Sequence, residues 1–179
     1  MAKPQTARRQ WNEQAEDDYV TLSIYEMPGH VIRRLNQASV SIFREEAAKA
    51  GIDLTTVQYA TLVAIKTLPG IDQATIAGAI ALDQVTIAGV LSRLERVGFI
   101  SRKKDVTDRR SKLLFLEPAG KKVLAKMESI ERKVQEKLLS ALGPAEQELF
   151  MAMANKVADA VNELSRAPLR RVRRGAQRE

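Results

Sequence analysis

The sequence predicts a mainly α fold carrying a small β-wing, and three stretches predict it. Two short helices, over residues 72–80 and 83–96, meet at a turn of only two residues, Ala81-Leu82. A hairpin with a basic tip follows over residues 99–116. Two long amphipathic helices then run from Pro118 to about Ser165. The first two stretches together read as a winged helix-turn-helix, the third as a helical dimerisation stem.

In chain order, residues 1–27 carry mixed charge with scattered aromatics (Trp11, Tyr19, Tyr25) and no sustained periodicity. They read as an N-terminal arm, either flexible or packed on a partner subunit. From His30 to Ala50 the residues Val31, Leu35, Ala38 and Ile42 recur at helical spacing, with Ile32, Ser39 and Phe43 beside them, and Gly51 is the stop. Thr55 or Thr56 caps a second, largely apolar helix that ends near Thr67, before Leu68-Pro69-Gly70. Asp72 caps the third helix and Asp83 the fourth, which Gly98 stops. Ala77, Ile80, Val90, Leu91 and Leu94 are the expected shared core of this pair. Phe99–Lys103 and Lys112–Leu116 are β-prone runs around KDVTDRRS, a charged turn-forming loop. Pro118 suits the first turn of a helix running to Leu142 on Val123, Met127, Ile130, Val134, Leu138 and Ala141. Gly143-Pro144 breaks it. A last helix, from about Ala145 to Ser165, repeats Phe150, Ala154, Val157, Val161 and Leu164 at coiled-coil-like intervals. The tail 166–179 is arginine-rich and reads as a disordered, solubilising end, with added phosphate attraction as the alternative.

The predicted organisation is therefore an arm (1–27), a helical dimerisation region (28–52 and 118–165), a winged helix-turn-helix DNA-binding region (53–117) and a basic tail (166–179). A dimer is expected because a helix-turn-helix binds paired half-sites.

Composition narrows the chemistry. With no cysteine and a single histidine, disulfides, thiol redox sensing, Cys/His zinc sites and Cys–His catalysis are excluded. No Gly-rich phosphate loop or nucleophile–base pair is visible, and no cofactor or metal is expected, so an enzyme is not the reading. No apolar run approaches the roughly 18–20 residues of a membrane span, and the N-terminus lacks the apolar segment of a secretory signal. A cytoplasmic protein without a membrane partner is expected. The 29 Lys+Arg against 22 Asp+Glu give a net charge of +7 and a pI near 9.8, which favours a polyanionic partner.

The fourth helix and the hairpin supply the candidate nucleic-acid contacts. Asp83 reads as an N-cap. Gln84, Val85 and Thr86 open the helix, where Gln84 can read adenine bidentately and Thr86 can meet a thymine methyl or a phosphate. Ala88 and Gly89 are small enough to let the helix sit close to bases, and Ser92 and Arg93 are placed for phosphate. Between Arg102 and Lys112 six basic residues face two acidic ones. Asp108 stands two residues before Arg110, a spacing that lets a carboxylate aim a guanidinium into a narrow minor groove. The bland alternative is a solvated turn with a weak ion pair.

These residues resemble the winged helix of the multiple-antibiotic-resistance regulator (MarR) family of bacterial transcription factors. The family's D-R-R wing, leucine-rich strand and L-T/E-x-x-G exit are matched by Asp108-Arg109-Arg110, Leu113–Leu116 and Glu117-Pro118-Ala119-Gly120. Its recognition helix and exit are matched by Thr86, Arg93-Leu94-Glu95, Gly98, Phe99-Ile100 and Arg102. The likeness spans about residues 28–165. It implies that Arg110 enters the minor groove with Asp108 orienting it, that Arg109 shares the wing, and that a homodimer binds a pseudo-palindromic double-stranded DNA operator.

It also implies a small-molecule effector. The stretch PGHVIRRLNQASVSIF resembles members that control breakdown of aromatic acids, so the expected effector is an aromatic acid or its coenzyme A thioester. His30, Arg33, Arg34 and Asn36 are the candidate contacts, since arginine suits planar anions. The competing reading is a helix cap and solvated or cross-dimer arginines. The expected function is a ligand-responsive dimeric regulator, a repressor of an aromatic-compound catabolic operon; the alternative is a nonspecific or architectural DNA-binding protein.

Overall fold

The computed structural model describes residues 20–104 and 112–172, and the chain divides after Gln37 into two compact units. In the first, a 3-10 turn at Ser23–Glu26 leads into helix α1, Pro28–Lys49. The helix starts ahead of its apolar repeat because proline is already set for a first helical position. The Tyr25 and His30 rings lie 5.8 Å apart at 42°. Val31, Ile32 and Leu35 are exposed.

The second unit holds α1 from Ala38 onward and the remaining elements. Helix α2, Thr56–Thr67, opens with a reciprocal capping box. The Gln58 N–H donates to Thr55 Oγ1 at 3.2 Å and the Thr55 N–H to Gln58 Oε1 at 2.9 Å, so Thr55 is the cap. Strand β1, Ile71–Asp72, precedes helix α3, Gln73–Ala79, and helix α4, Gln84–Arg96. Strands β2, Ile100–Lys104, and β3, Lys112–Leu116, form the wing, and the antiparallel sheet is ordered β1-β3-β2. Helices α5, Pro118–Leu138, and α6, Pro144–Ala160, complete it.

The core gathers Leu62 and Ile65 of α2, Ile76 of α3, Ile87, Leu91 and Leu94 of α4, Leu114 of β3 and Met127 of α5, none more than 1% exposed. Of the expected core of the short helix pair, Ala77, Leu91 and Leu94 are buried while Ile80 and Val90 are partly so. Ile87, which the sequence reading left out, is wholly buried. On α5 Leu124 is buried rather than Val123, beside Met127, Ile130 and Val134.

Three further differences have identifiable causes. Strand β1 is only two residues long, and Asp72 both pairs with Leu113 and caps α3, a double role too short to show as a strand pattern. Helix α5 stops at Leu138 because the Gln147 side chain, reaching back from α6, donates to the Leu142 and Leu139 carbonyls at 3.0 and 3.3 Å. The tail is not loose over 166–172: it folds back on the unit through bonds described below.

Two close contacts fix how α5 meets its neighbours. A Cβ on Gly120 would lie 2.2 Å from the Phe99 carbonyl oxygen, which also accepts the Glu117 N–H at 3.0 Å. Further along, Glu46 of α1, its side chain only 9% exposed, accepts from Lys137 at 2.6 Å and from Lys49 at 2.9 Å. The hydrogen bonds from Lys137 and then Lys49 hold the Glu46 carboxyl at about 2, against an ordinary 4.5.

Gly120→Ala is expected to lower stability by about 1–3 kcal/mol, the usual cost of overpacking; an unchanged urea midpoint would contradict the contact. Because the Glu46 carboxyl is depressed in the fold, its contribution is complete above pH 4.5 and is lost as pH falls towards 2. Glu46→Gln is therefore expected to flatten the loss of thermal stability across that window, and parallel wild-type and variant curves would count against the assignment.

Candidate nucleic-acid interface

Helix α4 presents its outer face because its inner face is consumed by the core. Gln84, Val85, Thr86, Gly89, Ser92, Arg93 and Arg96 are exposed, and their helical phases place Val85, Gly89, Ser92 and Arg96 along the centre of that face. Asp83 is the N-cap as expected: the Thr86 N–H donates to Oδ1 at 2.9 Å and the Thr86 hydroxyl to Oδ2 at 2.7 Å. The Thr86 hydroxyl first and its N–H second hold Asp83 below the usual carboxylate range, so it stays charged. Its charge is engaged by these donors, and Arg166 stands 4.0 Å away. The Thr86 hydroxyl is thus committed to the cap, leaving the methyl for an outside partner.

Two residues on this face have no internal reason to be what they are. Val85 is 85% exposed at the first turn. A Cβ on Gly89 would meet nothing within 4 Å, so no packing demands glycine there, although glycine inside a helix costs about 0.5–1 kcal/mol relative to alanine. Both features leave room for close approach of a partner. An exposed apolar side chain beside a bare backbone suits a major groove with its thymine methyls.

The wing hangs from the same helix. Gly98, at φ 74°, ends α4, and the Phe99 N–H closes onto the Leu94 carbonyl at 3.0 Å. Arg102 is turned inward: its Nε lies 3.1 Å from Glu95 Oε2, its Nη2 donates weakly to Ser92 Oγ at 3.4 Å, and its side chain is 18% exposed. Arg93 reaches Asp53 at 3.3 Å and remains half exposed. Lys104 and Lys112 face each other across the ladder, a like-charge pairing that an external polyanion relieves. Lys103 lies 4.9 Å over the Phe115 ring. Asp108, Arg109 and Arg110 lie outside the described residues. Arg96 is a candidate on this face that sequence reasoning missed, although its seven-residue spacing from Gly89 carried the signal.

The candidate effector residues belong to the first unit. His30 is half-buried beside Tyr25, Arg33 donates to Gln37 at 2.7 Å, and Arg34 and Asn36 are exposed. Within the second unit a cavity of about 730 Å³ is bordered by Phe43 of α1, Tyr59 and Val63 of α2, Ile80 after α3, Val134 of α5 and Leu169 of the C-terminal segment. That is the size of a small-molecule site and the lining is mainly apolar. Burial pushes the Tyr59 phenol up, so it remains a neutral donor at physiological pH.

Residues 54–112 match the model of the MarR family. Transcriptional regulator HosA of Escherichia coli is 36% identical over 128 residues, 72% of this chain and 92% of that protein. The chain belongs to the MarR family. It is a winged-helix DNA-binding transcriptional regulator, not an enzyme, and as such a cytoplasmic factor. The PcaV regulator of Streptomyces coelicolor, solved with its natural ligand, is 33% identical with a TM-score of 0.72, over 80% of this chain and 99% of that one. BpsR of Bordetella bronchiseptica, whose DNA binding 6-hydroxynicotinic acid regulates, is 27% identical with a TM-score of 0.72, over 78% and 99%. BpsR thus responds to an aromatic ligand.

Gly89→Ala separates fold from function. It is expected to stabilise the protein by about 0.5–1 kcal/mol and to weaken binding to its selected DNA site by tenfold or more. Equal or tighter DNA binding in a filter or anisotropy titration would show that nothing approaches that backbone.

Proposed function

We propose that this MarR-family protein is a homodimeric repressor of an aromatic-compound catabolic operon, released from a pseudo-palindromic operator by an aromatic acid or its coenzyme A thioester. The carrying observation is the cavity. It is bordered by α1 and α5, which belong to the stem, and by Ile80 at the turn into the recognition helix. A ligand there touches both parts, and it shifts DNA binding to the extent that it prefers one arrangement over the other.

Helix α6 supports the dimer. None of its residues is buried, and Leu149, Phe150, Met153 and Val157 are 59%, 36%, 57% and 56% exposed. A 17-residue helix gains most of its stability from packing, so a second copy covering this face accounts for it. Two recognition helices then address half-sites one turn of B-DNA apart, roughly 34–36 Å, or a multiple. In this reading Gln84, Val85, Thr86 and Ser92 face the groove, Arg93 and Arg96 reach phosphate, Arg102 braces the wing, and Asp108, Arg109 and Arg110 form its tip. His30, Arg33, Arg34 and Asn36 of the first unit remain proposed contacts for an anionic group, independently of the cavity. The open approach at Gly89 favours base reading over nonspecific, charge-driven binding.

The test takes a duplex selected from a random pool by the full-length protein and titrates aromatic acids and their coenzyme A thioesters against the complex. Release without chemical turnover is expected; an operator complex indifferent to every aromatic acid and thioester would refute the effector class. Arg110→Ala is expected to weaken the same complex by about 1–3 kcal/mol. Unchanged affinity at matched salt would remove its proposed role.

A further inference from the structure

After α6 a 3-10 turn at Asn162–Leu164 reverses the chain, and residues 165–172 run back over the second unit. Four attachments hold them. The Asn162 side-chain amide takes both backbone groups of Leu169, accepting its N–H at 2.8 Å and donating to its carbonyl at 3.2 Å. The Arg170 N–H donates to the Gly78 carbonyl of α3 at 2.8 Å. The Arg170 guanidinium engages both oxygens of Glu163, one at 2.9 Å, and Arg171 pairs with Asp159 at 3.2 Å.

The segment touches two things at once. Leu169 to Val172 border the cavity, opposite Tyr59 and Val63. Arg170 seats against α3 where that helix has no side chain: a Cβ on Gly78 would lie 3.0 Å from the Arg170 Cβ and 3.3 Å from its Cγ. Glycine there weakens a helix of only seven residues, and the seat for Arg170 is what it provides. Every anchor is a polar bond at the surface, whereas Leu169 and Val172 contribute apolar groups to the cavity wall. Such a segment is held by little and gains contact when the cavity is filled.

We propose that residues 165–172 form an intrachain clasp, a movable wall of the effector cavity seated on α3 at Gly78, through which occupation of the cavity is passed to the helix-turn-helix. This rests on the cavity being the effector site. A ligand that touches Leu169 and Val172 binds better to the clasped form and stabilises it. Because the clasp also holds the Gly78 carbonyl at the end of α3, ligand and DNA compete through the position of that helix. The clasp also decides what the site admits, since its apolar residues face the bound molecule.

Hydrogen exchange on the full-length protein tests this, with 1-anilinonaphthalene-8-sulfonate as an apolar anionic probe. Two variants loosen the clasp differently. Gly78→Leu fills the seat while keeping a good helix former in α3; Asn162→Ala removes both bonds to Leu169 without touching the helix-turn-helix. In the wild type the Leu169 and Arg170 amides are expected to exchange at least tenfold more slowly than in either variant, and the probe to slow them further. Both variants are expected to bind the probe about tenfold more weakly and to lose the weakening of DNA binding that the probe causes in the wild type; a probe effect on DNA affinity kept in both variants would show that the clasp does not pass cavity occupation on. Equal exchange in wild type and both variants would show that no clasp is docked. Slower wild-type exchange with unchanged probe affinity would show a docked segment that is not a cavity wall. A wild type whose Leu169 and Arg170 amides ignore the probe would overturn the role of the cavity itself, a result distinct from the others.

Discussion

Three side chains hold the reading head in place. Ile87, Leu91 and Leu94 are at most 1% exposed and project from one face of α4 into the core built by α2, α3, β3 and α5. Burying each is worth about 1.5–3 kcal/mol, enough that the helix has one orientation. The opposite face is fixed by the same act, which is why Val85, Gly89 and Arg96 can face outward without local support. Strand β2 is fixed to the same helix: it leaves α4 through the Gly98 turn and is tied back by the Arg102–Glu95 pair. Helix α4 and the start of β2 are therefore tied together.

The same packing leaves a cavity. Helix α2 spends Leu62 and Ile65 on the core and turns Tyr59 and Val63 towards the cavity, so a molecule there presses on a helix that is itself packed against α4. Close-packed interiors pass such displacements on instead of absorbing them. Coupling of this kind is bounded: a ligand moves the equilibrium only by its difference in affinity between the two arrangements, and binding both equally well moves nothing.

Legibility in the sequence followed the range of the interaction. The caps at Asp72 and Asp83 and the glycine stop at Gly98 are local chemistry and are placed where the sequence puts them. The recognition helix and wing strands follow from periodicity within one element. What escaped depends on distant groups. The end of α5 is set by a glutamine of α6, the inward turn of Arg102 by a glutamate on the preceding helix, and β1 by pairing with a strand some forty residues on. The basic segment after Ser165 has the composition of a free tail, yet Asn162 and Gly78 fasten it, and neither residue type announces that use. The apolar repeat of α6 was readable, and within the single chain it stays exposed.

The central claim is that the cavity and the DNA-reading face are thermodynamically coupled. The direct measurement is a closed cycle: the affinity of the full-length protein for one aromatic acid, by calorimetry, with and without its selected duplex, against the affinity for that duplex with and without the acid. Linkage requires the two ratios to be equal, and a factor of about 5–150 is expected, with DNA weakening the ligand as the ligand weakens DNA. An acid that binds in the cavity with the same affinity on and off the duplex would contradict it.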